Sequence, residues 1–140
     1  MKVKHDLIQR YRHIERLWVS QRWEDWVETT APGYLFTPGL GPDRDAHATV
    51  AWSRALFQAF PDITQTVQHV VADATTAAGV TRFRATHTRT LDLGLGVPLM
   101  ATGRAVDLVY VKLLDFDDGL VVRDRQVMDT VALLRALSAP

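Results

Sequence analysis

The spacing of the apolar residues changes once along the chain, at Phe60-Pro61-Asp62, and this constrains the fold more than any other feature. Before that point apolar side chains recur at helical spacing. After it they alternate with a period of two for most of the remaining residues. A chain ordered this way predicts helices first and an antiparallel meander second: an α+β fold with its helices segregated to one face of a curved sheet. At 140 residues it fits a single domain, residues 1–140, long enough to build one continuous core.

Leu7, Tyr11, Ile14 and Trp18 share one helical face, with Arg10, Arg12, Glu15 and Arg16 on the other side. Ser20 offers an N-cap for a short second helix carrying Trp23, Trp26 and Val27. That helix must stop near Ala31, because Pro32 disfavours helix in the residue before it. Tyr34 to Thr37 reads as a short strand and Pro38 to Pro42 as a loop. Asp45 can cap a third helix from Ala46 to Phe60, with Val50, Phe57 and Phe60 on one stripe.

Beyond the change of period, Ile63, Val67 and Val71 share a face with Gln65 and His69. Gly79 leads into a strand in which Val80, Arg82, Arg84 and Thr86 alternate with Thr81, Phe83, Ala85 and His87. Leu91 to Gly103 reads as a long hairpin connection, followed by strands from Arg104 to Phe116 and from Gly119 to Met128 and a closing helix that reaches Leu137. Val106, Leu108, Tyr110, Leu114, Leu120, Val122 and Met128 would then make an apolar outer sheet face suited to a dimer.

Sixteen basic and sixteen acidic residues cancel, and no block of like charge stands out, so neither a nucleic-acid footprint nor a membrane-surface helix is indicated. The absence of cysteine excludes disulfides and thiolate chemistry. None of the histidines stands at a metal-ligand spacing with a carboxylate, so no metal is expected. The N-terminus lacks the apolar core of a signal peptide, and a cytoplasmic location is the default.

The last hairpin can be registered from its turn. Asp117-Asp118-Gly119 suits a three-residue loop whose glycine takes a positive φ. Phe116 then lies opposite Leu120, Lys112 opposite Asp124, and Asp107 opposite Asp129. Two adjacent carboxylates, partly buried, would raise at least one proton affinity into the range of a general acid or base. Equally open is a bulge that slips the register, leaving both acids to hold nearby backbone or arginine groups.

Phe60-Pro61-Asp62, Thr86-His87-Thr88, Thr102-Gly103-Arg104, Asp118-Gly119 and an Asp before a Leu-Leu-containing helix fall in the order seen in SnoaL-like polyketide cyclases. The chain resembles that family from roughly its first helix to Leu137. The family belongs to the cone-shaped, nuclear-transport-factor-like folds, which include ketosteroid isomerases and limonene epoxide hydrolases. The resemblance implies a cone-shaped α+β barrel, its curved sheet wrapped around a deep, mostly apolar pocket beneath the N-terminal helices. It also implies a homodimer or homotetramer, a small aromatic polyketide-like substrate and no cofactor. The Asp matching Asp129 would act as the acid/base of an intramolecular aldol ring closure.

Thr37 stands where many members carry a His, Arg125 where a Trp often precedes the Asp by four residues, and Arg89 where a glycine is usual. On a regular strand Arg123 and Arg125 share the face of Asp129, where an arginine suits an enolate-bearing ligand. The expected catalytic set is therefore Asp129, with Asp107 tuning it and Arg125 or His87 stabilising an oxyanion. Tyr11, Trp18, Tyr34, Phe36, Trp52, Leu56 and Phe83 are the candidates for the pocket wall. Another chemistry of the same fold, such as isomerisation, epoxide opening or assistance to hydroxylation, remains open, as does a non-catalytic binding or dimerisation module.

Overall fold

The computed structural model describes residues 6–92 and 96–138. The elements follow in the order α1 (Leu7–Val19), α2 (Trp23–Glu28), β1 (Thr30–Thr37), α3 (Ala46–Ala59), β2 (Thr64–Ala72), β3 (Thr76–Thr86), β4 (Ala105–Asp117), β5 (Leu120–Met128) and α4 (Thr130–Leu137). The strands form one five-stranded sheet in the order β1-β5-β4-β3-β2. From β2 to β5 it is the expected antiparallel meander, while β1 returns to the far edge and pairs parallel with β5. None of the described helices is long and apolar enough to cross a membrane.

The helix starts are set by local chemistry. Asp6 accepts from the Gln9 amide at 3.1 Å and Asp45 from the Ala48 amide at 2.8 Å, each satisfying a first-turn N–H that has no partner inside its helix. Ser20 does not cap α2 as expected. Its hydroxyl bonds back to the Arg16 carbonyl at 2.6 Å and closes α1, whereas α2 starts after Arg22 with no side-chain cap. The following strand also starts earlier than expected, at Thr30. Pro32 and Gly33 fall where the β1 register with β5 is irregular, so the missing proline N–H costs no ladder bond there.

α1 packs on β2 and β3, α3 on β1, and α4 on β4. The inner sheet face they cover includes Phe83 and Ala85 of β3, Val106, Tyr110 and Leu114 of β4, and Val121 of β5. The apolar face of β4 that was expected to point outward is thus the core face. Outside, Val109 and Val127 are exposed, and ion pairs flank them on either side, Arg82–Asp107 and Arg125–Asp115.

Two bulges shift the expected faces. In β2 the register slips between Val67 and His69, so Val70 turns inward and Val71, expected on the face of Val67, lies 53% exposed. In the last hairpin Asp118 and Gly119 have φ of 49° and 79°, making a two-residue turn with Asp117 opposite Leu120. Both central residues have positive φ, as a type I′ turn requires. The register shifts again between Asp115 and Phe116, where the β5 partners jump from Val121 to Arg123. The extra residue, Val122, lets Val121 and Asp124 both face the core despite their odd spacing. Lys112 is consequently paired with Gln126 and Asp124 with Leu114.

Tyr11 of α1 is fully buried and lies flat over Gly79 of β3, where an added methyl would overlap its phenol ring and hydroxyl. Gly79→Ala is expected to lose about 1–3 kcal/mol through overpacking, read as a lower urea midpoint at unchanged m-value. Asp129→Ala removes the cap of α4 and is expected to cost about 1 kcal/mol, whereas Asp129→Asn, an equally good cap, should stay close to the wild type in the same measurement.

Candidate active site

Between the helices and the inner sheet face lies a cavity of about 80 Å³, several times the roughly 10–15 Å³ that one water needs on the same measure. Five of the aromatic and aliphatic candidates line it: Trp18, Phe36, Trp52, Leu56 and Phe83. Their places are held by neighbouring rings and hydrogen bonds. Trp18 packs 4.9 Å from Phe57 and donates its indole N–H to Ser53 Oγ at 2.9 Å. Phe36 sits 5.2 Å from Trp52. Tyr11 and Tyr34 are buried behind this wall and do not line it.

The expected catalytic residues are not brought together. Asp107 points to the outer sheet face, where Arg82 holds it with two hydrogen bonds of 2.9 and 2.7 Å and Arg84 adds a contact of 3.5 Å. Those arginines hold its carboxyl below the ordinary range. Asp129 is exposed and accepts from the Ala132 amide at 2.9 Å. β5 ends opposite Tyr110, so Asp107 and Asp129 do not face each other. This is the bulged alternative, with each acid holding an arginine or a backbone group. Arg125 also faces outward, onto Asp115 at 3.1 Å, and Arg123 bonds Thr37 Oγ1 at 2.9 Å. His87 is fully buried, stacks on Phe60 at 5.2 Å and meets Thr102 Oγ1 at 3.3 Å, outside the cavity lining.

The cavity instead ends on a charged group that the spacing had paired but not assigned a role. Lys112 of β4 and Asp124 of β5 both line it, only 8% and 4% exposed. They are diagonal neighbours across the hairpin, with Lys112 Nζ 3.7 Å from Asp124 Oδ2. On its other side Lys112 donates to Glu15 Oε1 of α1 at 3.2 Å, and Glu15 is 4% exposed. The Tyr34 hydroxyl donates to Asp124 Oδ2 at 3.0 Å, and the Tyr110 hydroxyl to Gln65 Oε1 at 2.7 Å. Among the described residues, neither the second Asp124 oxygen, Oδ1, nor Trp52 Nε1, both buried, has a hydrogen-bond partner. Unpaired buried polar atoms on a cavity wall are costly for the free protein and are natural contacts for a ligand.

The electrostatics follow from one cation between two anions. Burial pushes the Asp124 carboxyl above its ordinary range; the Lys112 ammonium opposes this, and the Glu15 charge adds to the rise. For Lys112, burial alone favours the neutral amine, but the carboxylates of Asp124 and Glu15 outweigh it and hold the ammonium well above its usual value. Tyr34, buried beside Asp124, stays a neutral donor, its phenol pushed up first by burial and then by that carboxylate. The arrangement therefore offers a carboxylate with enhanced basicity, a fixed cation beside it and a wall of aromatic surface. One signal in the sequence pointed to it: Lys112 has the same parity along β4 as Val106, Tyr110 and Leu114, so a charge interrupts a core-facing stripe.

Three solved structures illustrate the likeness to known folds. A proposed SnoaL-like polyketide cyclase from Jannaschia sp. CCS1 is 24% identical, with 95% of this chain and 94% of that one covered at a TM-score of 0.78. IdmH, a proposed polyketide cyclase from Streptomyces antibioticus, is 24% identical over 95% of this chain and 99% of its own, at a TM-score of 0.77. AclR, a proposed hydroxylase from Streptomyces galilaeus, is 23% identical over 93% and 96%, at 0.70. At such identities the likeness establishes the shared fold and not the reaction. No curated protein matches the chain. The model of the SnoaL-like polyketide cyclase family matches residues 8–137, and the chain belongs to that family.

Proposed function

We propose that this protein closes a ring in a polyketide-type substrate by an intramolecular aldol-type step, with Asp124 as the acid/base. The observation that carries this reading is that Asp124 lines the cavity beside the Lys112 ammonium, with one carboxylate oxygen, Oδ1, that has no hydrogen-bond partner among the described residues. Asp124 takes a proton from the carbon next to a substrate carbonyl, and the electron pair moves into that carbonyl to form an enolate. Lys112 offsets the developing charge on its oxygen. The enolate carbon bonds to a second carbonyl carbon of the same molecule, and the resulting alkoxide takes the proton back from Asp124. One proton is borrowed and returned, so the step balances without a cofactor. The cavity contributes by holding the chain folded, which turns ring closure into a reaction between preplaced atoms.

The family resemblance assigns the acid/base role to Asp129, but exposure and helix capping favour Asp124 for it. A cavity walled by Trp18, Phe36, Trp52 and Phe83 supports a flat aromatic substrate and favours an enzyme over a module with a collapsed interior. A dimer or tetramer built on the outer sheet face fits the exposed Val109 and Val127 and remains part of the proposal.

Exchange of the α-protons of 1-tetralone in D2O, followed by proton NMR, tests the first half-reaction without knowledge of the natural substrate. Asp124→Asn is expected to slow the catalysed exchange by about 10²-fold or more, and Asp129→Asn to leave it within about twofold of the wild type. Full exchange in folded Asp124→Asn, or its loss in Asp129→Asn, would overturn the assignment. The pH profile carries a second expectation. The base form of Asp124 is lost as pH falls through its raised proton affinity, so the acid limb should lie above the ordinary aspartate value of about 3.9. Bell-shaped or sigmoidal rate profiles between pH 3 and pH 8 check this, and a limb at or below that value counts against it.

A further inference from the structure

Glu15 is absent from the cavity lining, yet it is the other carboxylate that shares the buried cation. It reaches the site from α1 and also borders a surface groove with Arg12, Arg16 and Gln65. A single lysine that served only to neutralise Asp124 would need no second anion. Burying one more carboxylate costs desolvation and is tolerated only where it has a partner.

We infer that Glu15 is a positioning residue, holding the Lys112 ammonium between two carboxylates and nearer to itself, so that Asp124 is not engaged in a full ion pair and can act as the base. The inference rests on the assignment of Asp124 as the acid/base. Two mechanical effects combine. Glu15 draws Lys112 toward α1, which matches its shorter contact of 3.2 Å against 3.7 Å to Asp124. It also places a like charge in the same buried cluster, which disfavours the ionised form of Asp124. Without Glu15, Lys112 would swing onto Asp124 as a simple ion pair, and the carboxylate would be too well stabilised to take a proton from carbon.

The groups facing Asp124 are Lys112 and Tyr110 from β4, Tyr34 from β1, and Glu15 and Tyr11 from α1. The tyrosines are pushed up by burial and remain neutral. Glu15 is therefore the remaining anion of the cluster. The groove that Glu15 borders is also lined by Arg12 and Arg16.

The test reads Asp124 directly. Protein labelled with 13C at aspartate carboxyls is titrated by NMR, and the Asp124 signal is identified by its loss in Asp124→Asn. In Glu15→Gln, which keeps the shape and can still accept from Lys112, the Asp124 midpoint is expected to fall by about one pH unit. The acid limb of 1-tetralone exchange should move by the same amount, with kcat lowered and KM unchanged. A purely structural Glu15 would change stability and leave the midpoint in place, and that result would overturn the inference. Should Glu15→Gln fail to fold, Glu15→Asp withdraws the charge from Lys112 by one methylene, and an unchanged Asp124 midpoint there overturns it as well. Because the titration needs no turnover, failure of the acid/base assignment shows separately, as retained exchange in Asp124→Asn.

Discussion

The buried contact of Lys112 with Glu15 and Asp124 is the constraint on which the rest of the molecule depends. It ties α1 to β4 and β5, and through the Tyr34 hydroxyl it reaches the edge strand β1. A lone ammonium could not remain charged in this interior; with two carboxylates around it, it holds its proton. The same three side chains then fix where the helical layer sits over the sheet. Structure and chemistry meet in one group, because the ion cluster that ties the layers together also forms the polar end of the cavity.

This arrangement explains why an otherwise apolar cavity can host proton transfer. In water an aspartate is too weak a base to remove a proton from carbon at a useful rate. Burial raises its affinity, and a cation that is near without being in full contact allows a negative charge to form beside it. Trp18, Phe36 and Trp52 keep the surroundings apolar, while Gln65 and Tyr110 bond to each other at the cavity edge. One fold can keep such a shell and differ in where the charges stand.

The sequence exposed much of the fold and little of the site. Helical spacing in Leu7, Tyr11, Ile14 and Trp18, the Asp45 cap and the change of period at Phe60-Pro61-Asp62 are local signals, and each corresponds to an observed element. The parallel pairing of β1 with β5 is a contact between distant segments and leaves no local trace. Alternation in β4 sorted its residues into two faces but could not say which one the helices cover. The register that would set Asp107 opposite Asp129 needs a three-residue loop and a regular strand, whereas the hairpin has a two-residue turn and a bulge, the alternative that the sequence leaves open. Lys112 and Asp124 carry opposite charges at positions that match across the hairpin, but spacing alone does not show that they lie on the buried face.

The bulge at Val122 has a wider meaning. With regular alternation from Val121, which is buried, the next inward residues would be Arg123 and Arg125, and Asp124 would face out. The bulge that absorbs Val122 therefore decides whether the cavity presents an anion or two cations. Losing Val122 would make the ladder regular and leave Asp124 inward, whereas straightening the strand with Val122 retained would turn Asp124 out and invert the sign of the interior charge without substituting any catalytic side chain. The path of the backbone at one bulge thus sets which charge the interior presents.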